Sequence, residues 1–196
     1  MKFEKIVFLM ITISICTVLI TTQLQTQDSI SVLVNNSGPY IGTAIPHDYG
    51  FDGSGIIISV IDTGVDFNHP DLLGLGLEGK IIGGYDFVDN DETPQDSNGH
   101  GTQVAGIIAA NGNLKGIAPN SKILAYRVSE DGESVSSNLI IKAIEKSISD
   151  NADIINISLG INQTNTKIDQ VVTKAVQNNI FVVTAAGNFG PESNTI

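Results

Sequence analysis

Residues 56–64 read Ile-Ile-Ile-Ser-Val-Ile-Asp-Thr-Gly, and the class of fold can be inferred from them. Five of its first six residues are large and aliphatic, and most are β-branched, which is typical of a strand buried on both faces of a parallel sheet. The strand ends on Asp62. Ligands and catalytic groups gather at the carboxyl ends of the strands in open α/β sheets, so Asp62 is a candidate functional residue, although strand-end aspartates also serve as plain turn residues.

The rest of the chain alternates aliphatic strand-like runs with segments of helical periodicity, after a lead-in at Asp28–Asp52 that we expect to be extended. Further strands are predicted at about Ile81–Phe87, Ile123–Val128, Asp153–Leu159 and Phe181–Ala185, and helices at Gly101–Ala110, Ser136–Ser149 and Ile168–Asn178. This alternation predicts an α/β fold, with a parallel sheet covered by helices.

The length and net charge of the chain limit the classes of protein to which it can belong. The chain has 196 residues, enough for one domain, and a formal net charge of −11. An acidic balance of this size argues against nucleic acid as a partner and suits a soluble protein, which we expect to be a monomer.

The N-terminus has the pattern of a targeting segment. A short basic start precedes the apolar run Ile6–Ile20, so residues 1–22 are predicted to be either a cleaved signal peptide or an uncleaved membrane anchor. Both readings place the remainder outside the cytoplasm, secreted or at the cell surface, with membrane contact only through this segment. Cys16 is the only cysteine and lies in the run, so the exported part contains no thiol nucleophile and no disulfide.

Three polar side chains stand at element boundaries of this predicted fold. Asp62 ends the first strand, His100 opens a helix between two glycines, and Asn188 follows the last strand. A carboxylate that orients an imidazole, an imidazole that moves protons and an amide that donates to an oxyanion are components of an acyl-transfer site. Each also has a structural reading, as a turn or capping residue, but their joint placement favours catalysis.

Five segments resemble, in order, the motifs of the subtilisin-like serine proteases. They are residues 60–72 (Val-Ile-Asp-Thr-Gly-Val-Asp and His-Pro-Asp-Leu), 99–106 (Gly-His-Gly-Thr-Gln-Val-Ala-Gly), 116–119 (Gly-Ile-Ala-Pro), 156–160 (Asn-Ile-Ser-Leu-Gly) and 185–188 (Ala-Ala-Gly-Asn). The resemblance implies a subtilisin-like parallel sheet with helices on both faces, the C-terminal part of the domain missing. Residues 41–196 would be the incomplete catalytic domain, and residues 23–40 a lead-in too short for a folded pro-domain.

The resemblance also implies a role for individual residues. Asp62 and His100 would be members of the Asp-His-Ser triad and Asn188 the oxyanion donor, in an endopeptidase acting on polypeptide substrates. A substrate-binding groove would be formed by Ser158, Leu159, Gly160, Gly132, Ala185, Ala186 and Gly187, with an extended peptide pairing through its main chain.

The sequence departs from the family at the nucleophile, because no Gly-Thr-Ser-x-Ala motif occurs in residues 1–196. We therefore expect the chain as given to be inactive and the serine of the full-length product to lie beyond Ile196. Two alternatives remain: a truncated inactive product, or an exported pseudo-protease that only binds peptides. The triplet Asp62-Thr63-Gly64 also matches aspartic proteases, but those enzymes need two such aspartates and are mostly β.

An acidic loop follows the second predicted strand. Oxygen donors at Asp86, Asp89, Asp91, Thr93 and Gln95 suit Ca²⁺, and their spacing resembles the calcium loop of thermitase-like members of the family. The alternative is an ordinary solvated acidic loop. A second family calcium loop, before Gly116, is short here, so a second site is not expected.

Overall fold

The fold is a five-stranded sheet in which every neighbouring pair of strands is parallel. A computed structural model describes residues 38–72, 74, 76, 79–133, 135–160 and 165–187. The strands are β1 (Ile57–Asp62), β2 (Ile81–Asp86), β3 (Lys122–Arg127), β4 (Ile154–Ile157) and β5 (Phe181–Thr184), in the spatial order β2-β3-β1-β4-β5. The predicted parallel α/β sheet is thus confirmed, with β1 at its centre.

Alternate residues of β1 point into two separate cores. Ile58 and Val60 pack on one face, and Ile61 on the other, each at most 6% exposed. Strand β3 alternates in the same way, with Ile123 and Ala125 on the first face and Leu124 and Tyr126 on the second. Because both faces are covered, these strands read as continuous apolar runs and not as polar–apolar alternation.

Helices cover both faces of the sheet. Helix α2 (His100–Ala109) buries Ala105 and Ala109 in the first core. Helices α3 (Ser137–Ser149) and α4 (Thr166–Gln177) pack against each other and contribute Ile144 and Ala175, among others, to the second core. The small residues of α2 let its backbone approach the sheet closely, which matters for the position of His100.

The predicted extended lead-in is wrong at two short stretches, because residues 38–41 and 44–48 are helical. Residues Ala44–Asp48 form a helix, α1, in place of extended chain. Pro46 lies in its first turn, where a missing N–H costs nothing. The Nε2 atom of His47 lies 2.8 Å from the carbonyl oxygen of Ile117 and ties the helix to the domain. Among the described residues, no helix has the length and apolar character needed to cross a membrane; the predicted targeting segment at residues 1–22 lies outside them.

The register of the strands brings the candidate site residues to one edge. Ile61 of β1 is level with Ile157 of β4, and Ile157 is level with Thr184 of β5. Asp62 is therefore next to the start of segment 158–160 on one neighbouring strand, and segment 185–187 follows on the next. A side-by-side arrangement of this kind follows from parallel strands ending at a common edge.

Candidate active site

Asp62 occupies the last position of β1 with no exposure to solvent. Its Oδ1 atom accepts a hydrogen bond from the backbone N–H of Thr63 at 2.7 Å, whereas Oδ2 is buried and has no hydrogen-bond partner among the described residues. Burial raises the pKa of Asp62 above the ordinary value, and the hydrogen bond with His100 opposes that rise. The imidazole of His100 is therefore the main side-chain partner of this carboxylate.

His100 is the first residue of α2 and faces this carboxylate. Its Nδ1 atom lies 2.7 Å from Oδ1 of Asp62, and its side chain is 42% exposed. Donation from Nδ1 to the carboxylate leaves the lone pair on Nε2, which is the nitrogen available to a bound molecule. The pair can therefore accept a proton on the solvent side while the developing positive charge is stabilised from the buried side.

Close backbone packing sets the distance between the two residues. A Cβ placed on Gly101 would meet the carbonyl oxygen of Gly64 at 2.1 Å and Cβ of Asp62 at 3.1 Å. Only glycine fits at this contact, since real Cβ atoms do not approach other atoms so closely. Gly99, at the N-cap of α2, has a left-handed conformation with φ of 108°, which few other residues adopt without strain. The two glycines that flank His100 thus have a steric explanation.

A second carboxylate organises the same loops. Asp96 accepts hydrogen bonds from the Thr63 hydroxyl and from backbone and side-chain donors at the start of α2. The Thr63 hydroxyl in turn accepts from the backbone N–H of Gly101 at 2.9 Å. The residue after Asp62 and the residue after His100 are therefore joined through one hydroxyl group.

The predicted substrate-binding residues lie at this edge of the sheet. Gly132 is near the pair, since a Cβ on it would lie 3.9 Å from Cβ of His100 and 3.5 Å from Cγ2 of Thr63. In the segment after β4, Ser158 accepts a hydrogen bond from Asn156, Leu159 is buried and Gly160 is exposed. Residues Ala185, Ala186 and Gly187 follow β5 and are exposed. Asn188, the predicted oxyanion donor, lies outside the described residues.

Comparison with known proteins now decides the family. A sequence model of the subtilase family (Peptidase_S8) matches residues 53–196, which include β1, α2 and the whole edge described above. The chain belongs to the subtilase family. Membership of this family leads us to expect peptidase activity. The contact between Asp62 and His100 lies within the matched residues.

Individual relatives support this assignment. The chain is 39% identical to the minor extracellular protease Vpr of Bacillus subtilis (strain 168) over 181 residues, covering 87% of this chain and 22% of the relative. It is 44% identical to thermitase of Thermoactinomyces vulgaris over 143 residues, covering 71% of this chain and 50% of the relative. A solved cold-adapted subtilisin-like serine proteinase superposes with a TM-score of 0.62 at 40% identity, over 70% of this chain and 48% of that one. This subtilase chain therefore spans about half, or less, of these relatives.

The acidic loop of this subtilase does not gather its five predicted calcium ligands into a metal site. Asp86 and Asp89 both accept a hydrogen bond from Nη1 of Arg127, at 2.7 and 2.6 Å. The side chain of Arg127 is only 8% exposed, and its charge is neutralised by the carboxylates of Asp86 and Asp89. Within the part of the chain that the structure describes, no three acidic, histidine or cysteine side chains are arranged to hold a metal ion.

Two of the other predicted ligands, Asp91 and Gln95, make side-chain hydrogen bonds within the protein. Asp91 accepts from the backbone N–H of Thr93 at 2.7 Å. The side-chain oxygen of Gln95 accepts from the backbone N–H of Phe67, and its amide nitrogen donates to Asp66 at 3.1 Å. The donor set as it stands does not fit a calcium ion without rearrangement.

Sequence reasoning missed Asp96, Thr63 and Arg127. Asp96 stands in Asp-Ser-Asn-Gly, which reads as ordinary turn sequence, so nothing in its composition marks a structural centre. Arg127 ends a buried strand at the same edge as Asp62, and a cation at that position beside an acidic loop is the signal that could have revealed the ion pair.

Proposed function

We propose that the whole gene product is a serine-type endopeptidase that hydrolyses peptide bonds, with Asp62 and His100 as two members of its triad. The observation that supports this most strongly is the 2.7 Å contact between His100 Nδ1 and the buried carboxylate of Asp62, within a family of serine proteases. The nucleophilic serine is expected in the part of the relatives that this chain does not span.

The chemistry assigned to the described residues is proton transfer. His100 Nε2 takes the proton of the serine hydroxyl as the oxygen attacks the peptide carbonyl carbon. It then gives that proton to the leaving amine, and repeats the cycle with water to release the acyl group. Asp62 keeps Nδ1 protonated and stabilises the imidazolium that forms at each step. Asn188 is expected to donate a hydrogen bond to the oxyanion.

The substrate is a polypeptide in extended conformation. Segments 158–160 and 185–187 follow two neighbouring parallel strands, and Gly132 lies close to His100. An extended peptide placed between such segments pairs with their main chains, as an added strand does. Because that pairing reads the backbone, broad side-chain preference is expected. The relative Vpr is named an extracellular protease, and export of this chain through residues 1–22 would agree with that location.

A serine-directed phosphonate label tests this proposal. The complete gene product should be labelled covalently, and His100→Ala should slow labelling by about 10²- to 10⁴-fold, the contribution of a positioned general base. His47→Gln is the matched control, because the His47 side chain hydrogen-bonds to the carbonyl oxygen of Ile117, outside the site. Equal labelling of the His100→Ala variant and the control would refute the assigned role of His100. Failure of the parent protein to label or hydrolyse peptides would favour the pseudo-protease that only binds them.

We further propose that the acidic loop binds calcium, through Asp86, Asp89, Asp91, Thr93 and Gln95. The support is the resemblance in donor spacing and the high negative charge of the loop. Asp86 and Asp89 would have to exchange Arg127 for the ion, so the proposal requires a local rearrangement.

A further inference from the structure

The carboxylate of Asp96 is surrounded by hydrogen-bond donors on both oxygen atoms. Oδ1 accepts from the Thr63 hydroxyl at 3.0 Å and from the backbone N–H groups of Asn98 and Gly99, both at 2.9 Å. Oδ2 accepts from the backbone N–H and the hydroxyl of Thr102, at 2.9 and 2.5 Å. An ionised carboxylate offers about four lone-pair sites, so five donors use its full capacity.

These donors belong to two different elements. Thr63 directly follows Asp62 at the end of β1, whereas Gly99 and Thr102 flank His100 at the start of α2. The Thr63 hydroxyl has a fixed direction, because it accepts from the N–H of Gly101 and can then donate only toward Asp96. Thr102 extends the network by accepting at 2.9 Å from the backbone N–H of Asp66. One side chain therefore spans the joint between the strand that ends on Asp62 and the helix that begins with His100.

The start of α2 depends on this carboxylate. The N-cap residue, Gly99, has no side chain that could accept from the first-turn N–H groups, and helix N-termini need such acceptors. Asp96, three residues upstream, accepts from the N–H of Thr102, whereas the N–H groups of His100 and Gly101 donate to the side chains of Asn98 and Thr63. Negative charge at a helix N-terminus is also favourable because it interacts with the helix dipole. The orientation of His100 thus rests on a residue that does not touch it.

We propose that Asp96 is a positioning residue for the Asp62–His100 pair: by accepting from Thr63, Gly99 and Thr102 at once, it fixes the imidazole so that Nδ1 donates to Asp62. This inference rests on the proposed function for its consequence in catalysis. Its structural content, the orientation of His100, can be tested without any activity.

The substitution Asp96→Asn isolates this role. The amide has nearly the same shape, but one of its two ends becomes an NH₂ donor. If the NH₂ group takes the place of Oδ1, it faces the donors of Thr63, Asn98 and Gly99. If it takes the place of Oδ2, it faces the backbone N–H and the hydroxyl of Thr102. Either orientation leaves at least one backbone N–H without its acceptor, because a hydroxyl can turn to accept from the amide but an N–H group cannot. Asp52→Asn is the matched control, because Asp52 also accepts from a backbone N–H and two side chains (Ser54 and Asn120) outside the site.

The first readout is the tautomer of His100, from long-range proton–nitrogen spectra of the ¹⁵N-labelled 196-residue chain with EDTA present. His47 and His69 are internal references, and His100→Ala assigns the signal. We expect the Nδ1–H tautomer and its downfield proton in the parent chain and in Asp52→Asn, and loss of both in Asp96→Asn. An unchanged His100 signal in Asp96→Asn would overturn the proposal and leave Asp96 as a helix cap only.

The second readout is peptide hydrolysis by the complete gene product. Asp96→Asn should lower kcat by roughly 10- to 100-fold with little change in KM, because misplacement of a catalytic group costs rate and not binding. A change confined to KM, or none, would contradict the proposal. If the parent product has no activity, the proposed function fails, and the tautomer measurement still decides the role of Asp96.

A second pair of variants covers the case in which Asp96→Asn does not fold. Thr63→Val removes the hydroxyl that joins Gly101 to Asp96, and Thr63→Ser keeps it. Thr63→Val should lose the His100 Nδ1–H signal, and Thr63→Ser should restore it. Loss in both variants, or in neither, would overturn the role of the hydroxyl link.

Discussion

His100 hydrogen-bonds at 2.7 Å to Asp62, a carboxylate with no solvent exposure and with one oxygen that has no partner in the part of the chain that the structure describes. Burying a charge without a full set of hydrogen bonds costs folding free energy. The same carboxylate, however, orients the imidazole of His100. Stability and the proposed activity should therefore respond in opposite directions when this carboxylate is neutralised.

Asp62→Asn should stabilise the fold at neutral pH. Because burial raises the pKa of Asp62, the folded state binds this proton more tightly than the unfolded chain does. Stability from this group is thus lost as the pH rises from the ordinary aspartate range through the raised pKa. We expect the free energy of unfolding of the variant to exceed that of the parent by about 1 kcal/mol at pH 7, by the usual cost of unsatisfied buried groups. The difference should shrink toward acid pH.

Urea unfolding at several pH values measures this effect. Asp48→Asn is the control, since Asp48 is exposed and should show no such pH-dependent gain. A loss of stability in Asp62→Asn at pH 7 would show that the carboxylate stabilises the fold, contrary to this account.

Gly101→Ala should destabilise the domain strongly, because its new methyl group would overlap the carbonyl oxygen of Gly64. Overpacking of a tight contact typically costs about 1–3 kcal/mol, and movement of backbone here also separates Asp62 from His100. Gly160→Ala is the matched control, because no atom of the described residues lies within 4 Å of the added Cβ. Thermal unfolding of both variants should show a large loss in the first and almost none in the second. Similar melting temperatures would mean that α2 does not pack against β1 as described.

The two carboxylates that share Arg127 should differ in their contribution to stability. The Asp86 side chain is 3% exposed and that of Asp89 is 63% exposed. Asp86→Asn leaves a buried guanidinium with only a solvent-screened partner, which should cost about 3 kcal/mol. Asp89→Asn should cost about 1 kcal/mol or less. Denaturant unfolding in EDTA compares the two, and equal losses would refute the burial argument.

Calcium should raise the melting temperature of the chain if the acidic loop binds it. A ligand that binds only the folded state stabilises it by mass action, whereas magnesium, which needs stricter octahedral geometry, should have little effect. Asp91→Asn should abolish the shift, and Glu92→Gln, an exposed neighbour outside the donor set, should retain it. A melting temperature that calcium does not change would contradict calcium binding. The acidic loop would then only pair with Arg127.

The main elements of the fold could be predicted from the sequence, with boundaries within about two residues. Continuous aliphatic runs such as 56–61 identify strands buried on both faces, and the helical spacing of Leu139, Ile140, Ala143 and Ile144 identifies α3. Helix α1 was missed because five residues are too few to show a period. Its proline also reads as a turn signal, although it is acceptable in a first turn.

Contacts that depend on three-dimensional proximity could not be read from the sequence. Asp96 lies 33 residues from Thr63, and Arg127 lies 41 residues from Asp86. Local sequence describes Asp96 as a turn residue and Asp86 as part of an acidic loop, and both descriptions are true. Only the fold shows that each carboxylate connects two elements.

The catalytic role of the Asp62–His100 pair is best measured by comparing the rate of peptide hydrolysis between the complete gene product and its His100→Ala variant. We predict steady hydrolysis of an extended chromogenic peptide by the parent, full retention in His47→Gln, and a loss of about 10²- to 10⁴-fold in His100→Ala. Hydrolysis that is undiminished in His100→Ala would contradict the assignment of the Asp62–His100 pair to catalysis.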